Sequence, residues 1–205
     1  MILWFATNNK HKRDELQSCL NEYSKDLIVK IPSDEGIFFN PEETGSSFYE
    51  NSLLKAKELY KFLIKNGKNS DPVLADDSGL CVDALDGRPG VLSARYGFTD
   101  GKKFESGRQN LMLLDELGDN PKRSARFVCA MTLLYNSDRF FIAQETIEGE
   151  IVTKEKIKGD GGFGYDPIFF LPEKGRTLAE LSTEEKNKIS HRGKAVKIIC
   201  KHIYA

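Results

Sequence analysis

The 205-residue chain carries 30 Lys and Arg against 31 Asp and Glu, a formal net charge of -1. That balance gives no global electrostatic case for nucleic acid or a membrane surface, and the length suits one domain or two lobes sharing one core. Cys19, Cys81, Cys129 and Cys200 stand far apart beside apolar neighbours, with no C-x-x-C pair and no ligand spacing to His11, His191 or His202, which argues against zinc and predicts reduced core thiols.

The opening "MILWFATNNK" turns polar too soon for a signal peptide or a membrane span, so a cytoplasmic protein is expected. "ILWFA" reads as a buried strand, followed by a polar loop and a helix over residues 10–23 with Leu16, Cys19, Leu20 and Tyr23 at helical spacing. "DLIVKI" is a second strand. Ser47 and Glu50 form a capping box opening a helix whose Tyr49, Leu53, Ala56, Tyr60 and Leu63 line one face, with Lys55 and Lys57 off that stripe. "PVLAD" is a third buried strand, ending on Asp76 and Asp77. The turn-rich "LDGRPGVLSARYG" leads to a helix over residues 102–117, with Phe104, Leu111 and Leu114 inward. "SARFVCAMTLLYN" and "RFFIAQETIEGEIV" flank the turn triplet "NSD" and predict an antiparallel hairpin. "IFF", set between Pro167 and Pro172, reads as a short strand. A last helix starts near His191 and buries Ala195, Ile198, Ile199, His202 and Ile203. Strands alternating with helices and then a long hairpin imply an α/β fold with a mixed sheet.

Five polar segments can carry chemistry, and each also has an ordinary structural explanation. In "ATNNKHK", backbone N–H groups, Thr7 and Asn9 could hold phosphate oxygens with Lys12 neutralising charge, or the segment simply caps a helix. Glu42, Glu43 and Glu50 lie near a helix start, where carboxylates are electrostatically welcome. Asp76 and Asp77 are costly at the end of a buried strand without a cation or donors; a hard metal such as Mg²⁺ is one remedy and a capped turn of Asp77, Ser78 and Gly79 the other. Lys186, His191 and Arg192 crowd a helix start, a position that disfavours cations and so wants an explanation such as an electron-rich ligand. "GDGGFGYDP" satisfies G-x-G-x-x-G, but no helix follows, so a dinucleotide fingerprint is excluded, and no Lys-Ser or Lys-Thr makes a Walker loop.

Phosphate donors, metal-binding carboxylates, planar donors and an aromatic-glycine surface together fit a nucleotide. In order and at family-like separations, "ATNNKHK", "ETGSSFYENSLLKA", "ADDSGLCVDALDGRPGVLSARY", "GDGGFGYDPIF" and "EKNKISHRGKA" resemble the inosine triphosphate pyrophosphatase family over nearly the whole chain. The resemblance implies a mixed central sheet flanked by helices in two lobes with a deep active-site cleft, residues 1–205 forming a single domain. It also implies a homodimer and Mg²⁺-dependent hydrolysis of ITP, dITP and XTP to the monophosphate and pyrophosphate, cleaning the nucleotide pool of deaminated purines.

Carried over by position, Thr7, Asn8, Asn9, Lys10, His11 and Lys12 look like the phosphate loop and Lys55 like a phosphate contact. Asp77 looks like the catalytic residue and metal ligand, with Glu43 as second ligand. Ser78, Phe163, Gly164, Tyr165, Asp166, Lys186, His191 and Arg192 match the substrate-binding set. Asn8 stands where many members have glycine; Asn tolerates a left-handed backbone better than other residues with a side chain, so the loop is expected to survive. On this reading the glycines clear room for a flat base, Phe163 stacks on it, and Arg192 and His191 donate to O6 and N7. Two rivals stay open: a pyrophosphatase of modified pyrimidine nucleotides, and a regulatory module that binds a triphosphate without cleaving it.

Overall fold

Strand β1 (Ile2–Phe5) can be apolar on both faces because it has a parallel neighbour on each side, β2 (Ile28–Lys30) and β3 (Val73–Val82). The structure is a computed structural model and describes residues 2–23, 25–68, 71–97, 107–159 and 164–203. Beyond β3 the sheet continues through β4 (Ser124–Leu134), β5 (Phe140–Ile151), β6 (Phe169–Leu171) and β7 (Arg176–Thr177), in the order β2-β1-β3-β4-β5-β6-β7. Strand β6 is antiparallel to both β5 and β7, so the sheet is mixed, as expected. Hydrogen bonds from Tyr135 N to Arg139 O at the turn and from Ile151 N to Arg123 O at the far end, both 2.9 Å, set β4 and β5 as the hairpin expected around "NSD". The helices are α1 (Lys10–Asn21), α2 (Phe48–Lys65), α3 (Arg108–Leu117), α4 (Thr183–Ile189) and α5 (His191–Ile203).

The chain divides into two compact units: Met1–Asp77 with Cys129–Glu145 and His191–Ala205, and Ser78–Val128 with Thr146–Ser190. In the first, the two-residue period of a strand sorts the core. Leu3, Phe5 and Leu74 pack with Leu16 and Leu20 of α1 and Ala195 and Ile199 of α5, whereas Trp4, Val73 and Ala75 pack with Ala56, Leu59 and Leu63 of α2. In the second unit, Leu113, Leu114 and Leu117 of α3 join Leu80, Phe127, Ile147 and Phe169. Each unit has apolar clusters of its own, which corrects the expectation of one shared core.

Several sequence expectations need correction. Strand β3 does not end at Asp76 and Asp77 but runs through them to Val82, so there is no capped turn at Ser78 and Gly79. Helix α2 does begin with the predicted capping box, Ser47 Oγ accepting from Glu50 N and Glu50 accepting from Ser47 N. Its buried face is different, however: Asn51, Ser52 and Lys55 are buried with Ala56, Leu59 and Leu63, while Tyr49 is exposed. Tyr23 lies past the end of α1 and Leu111 points to solvent; the inward residues of α3 include Asn110 and Leu113, and Phe104 lies outside the described residues. His202 is exposed and stacks on Phe141, centroids 4.1 Å apart, rather than joining the core. The cysteines are free thiols, three buried and Cys81 half-buried. Among the described residues no helix is long and apolar enough to cross a membrane.

Candidate active site

Consecutive residues of a strand point to opposite faces of its sheet, so Asp76 and Asp77 enter different surroundings although they adjoin in sequence. Asp76 shares the face of Leu74, toward α1 and α5; Asp77 shares that of Ala75, toward α2.

Asp76 is 1% exposed and is met by cations from both helices. Lys12 Nζ donates to its two oxygens at 3.1 and 3.0 Å, and Arg192 Nη2 to one of them at 3.3 Å. The same guanidinium donates through Nη1 to Glu15 Oε2 at 2.7 Å. Burial works to raise the Asp76 pKa, but Lys12 and Arg192 outweigh it and hold the carboxyl well below the ordinary carboxylate range. The cation at the start of α5 is therefore explained by two carboxylates of the protein itself, where the sequence had asked for a ligand.

Asp77 is held from one helix. Lys55 Nζ donates to Oδ1 at 3.0 Å and Asn51 Nδ2 to Oδ2 at 3.2 Å, while Lys55 also donates to Glu43 Oε1 at 2.9 Å. Here burial wins and pushes the Asp77 carboxyl above its ordinary value, against the charge of Lys55. Burial opposes the Lys55 ammonium, yet Asp77, Asp76 and Glu43 keep its pKa raised. Ser47, Asn51 and Lys55 recur every fourth residue and so form a polar stripe along the inner side of α2. That stripe was readable in the sequence, but an apolar periodicity does not report it.

Among the described residues no three or more His, Cys, Asp and Glu side chains gather as a metal site. Two carboxylates do converge on one cationic nitrogen, at Lys55. A divalent ion held by that pair must take its remaining oxygens from water and substrate, which is how Mg²⁺ usually binds.

In the loop before α1, Thr7 Oγ1 accepts from Asn9 N at 3.1 Å and Asn9 Oδ1 from Lys12 N at 3.2 Å, so both side chains cap the helix. Asn8 does not take the left-handed backbone allowed for it; Asp86 is the one non-glycine with positive φ among the described residues. Instead the Asn8 amide donates to the Phe39 carbonyl, a bond that glycine could not make. Lys10 and His11 are exposed in the first turn of α1.

The other predicted residues lie in the second unit, except His191, which is buried at the start of α5. Lys186 Nζ donates to buried Asp166 Oδ2 at 2.6 Å. Tyr165 is a core residue whose hydroxyl donates to Ser93 O at 2.9 Å, so only its backbone is left for a ligand. Ser78 is half-buried in β3, and Gly164, whose carbonyl accepts from Asn110 Nδ2 at 3.0 Å, is exposed. Phe163, Gly161 and Gly162 lie outside the described residues.

Gly159 has a local reason to be glycine. Its φ is +87°, and an added Cβ would stand 2.7 Å from Ala179 Cβ and 2.8 Å from the Ala179 carbonyl carbon. Gly159→Ala is expected to destabilise the protein by more than about 1 kcal/mol, since strain and clash act together. Thermal denaturation reads this; an unchanged midpoint would mean that the segment relaxes freely and that the glycine serves another purpose.

A family model described as the Ham1 family matches residues 3–202 of the chain. The chain is 47% identical over 203 residues to a dITP/XTP pyrophosphatase of Treponema denticola, covering 99% of this chain and 98% of that protein. To the dITP/XTP pyrophosphatase of Clostridium perfringens it is 39% identical over 193 residues, covering 93% and 91%. Among solved structures, a HAM1 protein from Coxiella burnetii matches with a TM-score of 0.86 at 36% identity, covering 100% of this chain and 98% of that one. The Ham1 protein of Staphylococcus aureus gives 0.84 at 35%, with the same coverage.

Proposed function

The chain belongs to the Ham1 family, and from that premise we propose that it is a nucleoside triphosphate pyrophosphatase hydrolysing dITP, XTP and ITP to the monophosphate and pyrophosphate. The relatives' dITP/XTP pyrophosphatase activity supports the substrate class. The observation that carries the reading is the pair Asp77 and Glu43 closing on the Lys55 ammonium, an oxygen set suited to a hard cation beside phosphates. Residues 1–205 act as one catalytic domain, in a cytoplasmic homodimer.

Asp77 and Glu43 would hold Mg²⁺. Bound there, it supplies charge neutralisation and Lewis-acid polarisation of phosphoryl oxygens. Lys55 and the partly exposed Lys12 offset the negative charge of the triphosphate, and the first-turn amides of α1 add donors at a helix N-terminus. Water attacks the α-phosphorus, the bond from that phosphorus to the bridging oxygen breaks, and pyrophosphate leaves. Asp77 accepts the proton of the water; burial, by raising its pKa, makes it a stronger base than an exposed carboxylate. Positioning and charge stabilisation suffice, with no covalent nucleophile.

For the base, Arg192 and His191 are the donors to O6 and N7, with Glu15 and Asp76 fixing the plane of the guanidinium and its Nε buried without a hydrogen-bond partner. Adenine would bring its 6-amino donor to those donors, and unpaired polar groups in a closed site discriminate by factors near ~10⁴. Phe163 stacks on the base, and Ser78, Gly164, Asp166 and Lys186 complete the substrate set.

The test is incubation with Mg²⁺ and, separately, dITP, XTP, ITP, GTP, ATP and dTTP, resolving pyrophosphate from orthophosphate. Pyrophosphate from the first three, little from the others and none in EDTA is expected. Orthophosphate would place attack at the γ-phosphorus, and tight binding without turnover would make the protein a sensor.

A further inference from the structure

Asn51 is fully buried, and both ends of its amide are engaged on the two segments that carry the candidate cation ligands. Its Nδ2 donates to Asp77 Oδ2 at 3.2 Å, and its Oδ1 accepts from Gly45 N at 2.8 Å, two residues beyond Glu43. The partners fix the orientation of the amide: a backbone N–H can only donate, so the oxygen must face Gly45 and the NH₂ is left for the carboxylate. A second observation, independent of those bonds, lies in Gly45 itself. A Cβ there would stand 2.7 Å from Asn51 Oδ1 and 2.8 Å from Glu50 Cβ, so only glycine lets this segment come so close to the amide.

The geometry of α2 adds to this. Asn51 and Lys55 are one turn apart on one face and reach the two oxygens of the same carboxylate, Lys55 taking Oδ1 and Asn51 taking Oδ2. Lys55 also reaches Glu43, but as a flexible ammonium that must yield if a cation enters between the carboxylates. The Asn51 amide carries no charge and has no such competition. It can keep Asp77 and the Glu43 segment in register whether or not Lys55 stays in place.

We infer that Asn51 is a positioning residue that presets the separation of Asp77 and Glu43 for a divalent cation, with Gly45 as its obligatory neighbour. This rests on the proposed reading of Asp77 and Glu43 as the cation's ligands. Hydrogen bonds of this kind to a ligating carboxylate are worth about 10–100-fold in metal affinity.

The experiment measures Mn²⁺ binding to the substrate-free, full-length protein by electron paramagnetic resonance, for the parent, Asn51→Leu and Gly45→Ala, with thermal denaturation alongside. Asn51→Leu removes both bonds at nearly constant volume; Gly45→Ala leaves the amide in place and displaces the segment from the other side. Both variants are expected to bind Mn²⁺ about 10–100-fold more weakly than the parent at temperatures where they are folded. Affinity equal to the parent's in either folded variant overturns the inference, even if turnover falls, because the residue would then serve packing alone. Mn²⁺ binding by a parent that does not hydrolyse dITP would sink the proposed function while leaving the inference to be decided by the variants. A parent that binds no Mn²⁺ removes the ligand pair and the inference with it.

Discussion

Asp77→Asn is expected to cut the turnover of dITP by about 10²–10⁴-fold, the usual range for loss of a positioned acid or base, while the protein stays folded. Two effects of opposite sign act on its stability. The folded pKa of Asp77 is raised by burial, so the carboxylate form carries a cost that appears as pH rises through the folded value, and the neutral amide removes that cost at pH 7. Against this, both oxygens of Asp77 accept, from Lys55 and from Asn51, and an amide there must turn its NH₂ toward a donor, costing about 1–3 kcal/mol. The net change should be under about 2 kcal/mol, too small to account for lost turnover through unfolding. Steady-state kinetics with a denaturation curve on the same sample decides it. A folded variant retaining a tenth or more of the parent rate would end the assignment of Asp77 as the proton acceptor.

The order of elements was legible because it rests on patterns the chain displays locally. The capping box at Ser47 and Glu50, the apolar run of β1 and the "NSD" turn each specify their element without help from distant residues. The site was legible only as an inventory. That Asp76 and Asp77 needed cations followed from the cost of burying charge, but the choice of Lys12, Arg192 and Lys55 over a metal depended on contacts 22 to 116 residues away in sequence. Lys55 shows where the reading broke. Counting apolar spacing left it off the buried stripe of α2, whereas the face it occupies is buried because other polar groups meet it there. The strand through Asp76 and Asp77 was cut short for the same reason: the cost of the carboxylates was weighed without their partners. Asn8 was judged by its tolerance of a left-handed backbone, when its contribution is a side-chain bond to Phe39 that no local rule predicts.

Asp76→Asn, one residue away, should behave in the opposite manner and act first on stability. The carboxylate is buried between Lys12 and Arg192, and removing one partner of such a set typically costs about 3–5 kcal/mol because the remaining charges stay desolvated. For a chain of this size that corresponds to a fall in Tm of about 6–20 °C. The pH dependence supplies an independent check. Lys12 and Arg192 hold the folded pKa below its unfolded value, so the stabilisation is fully present above the ordinary carboxylate pKa and is lost as pH falls through the folded value. The gap between parent and variant should accordingly be widest near neutrality and close in acid. Urea denaturation at pH 7 and near pH 3, without added divalent metal, measures both. A gap below about 1 kcal/mol at pH 7 would mean that Asp76 gains no more from its cations than a surface ion pair does. A gap that persists unchanged into acid would mean that its shape and hydrogen bonds, not its charge, hold α1 and α5 against β3.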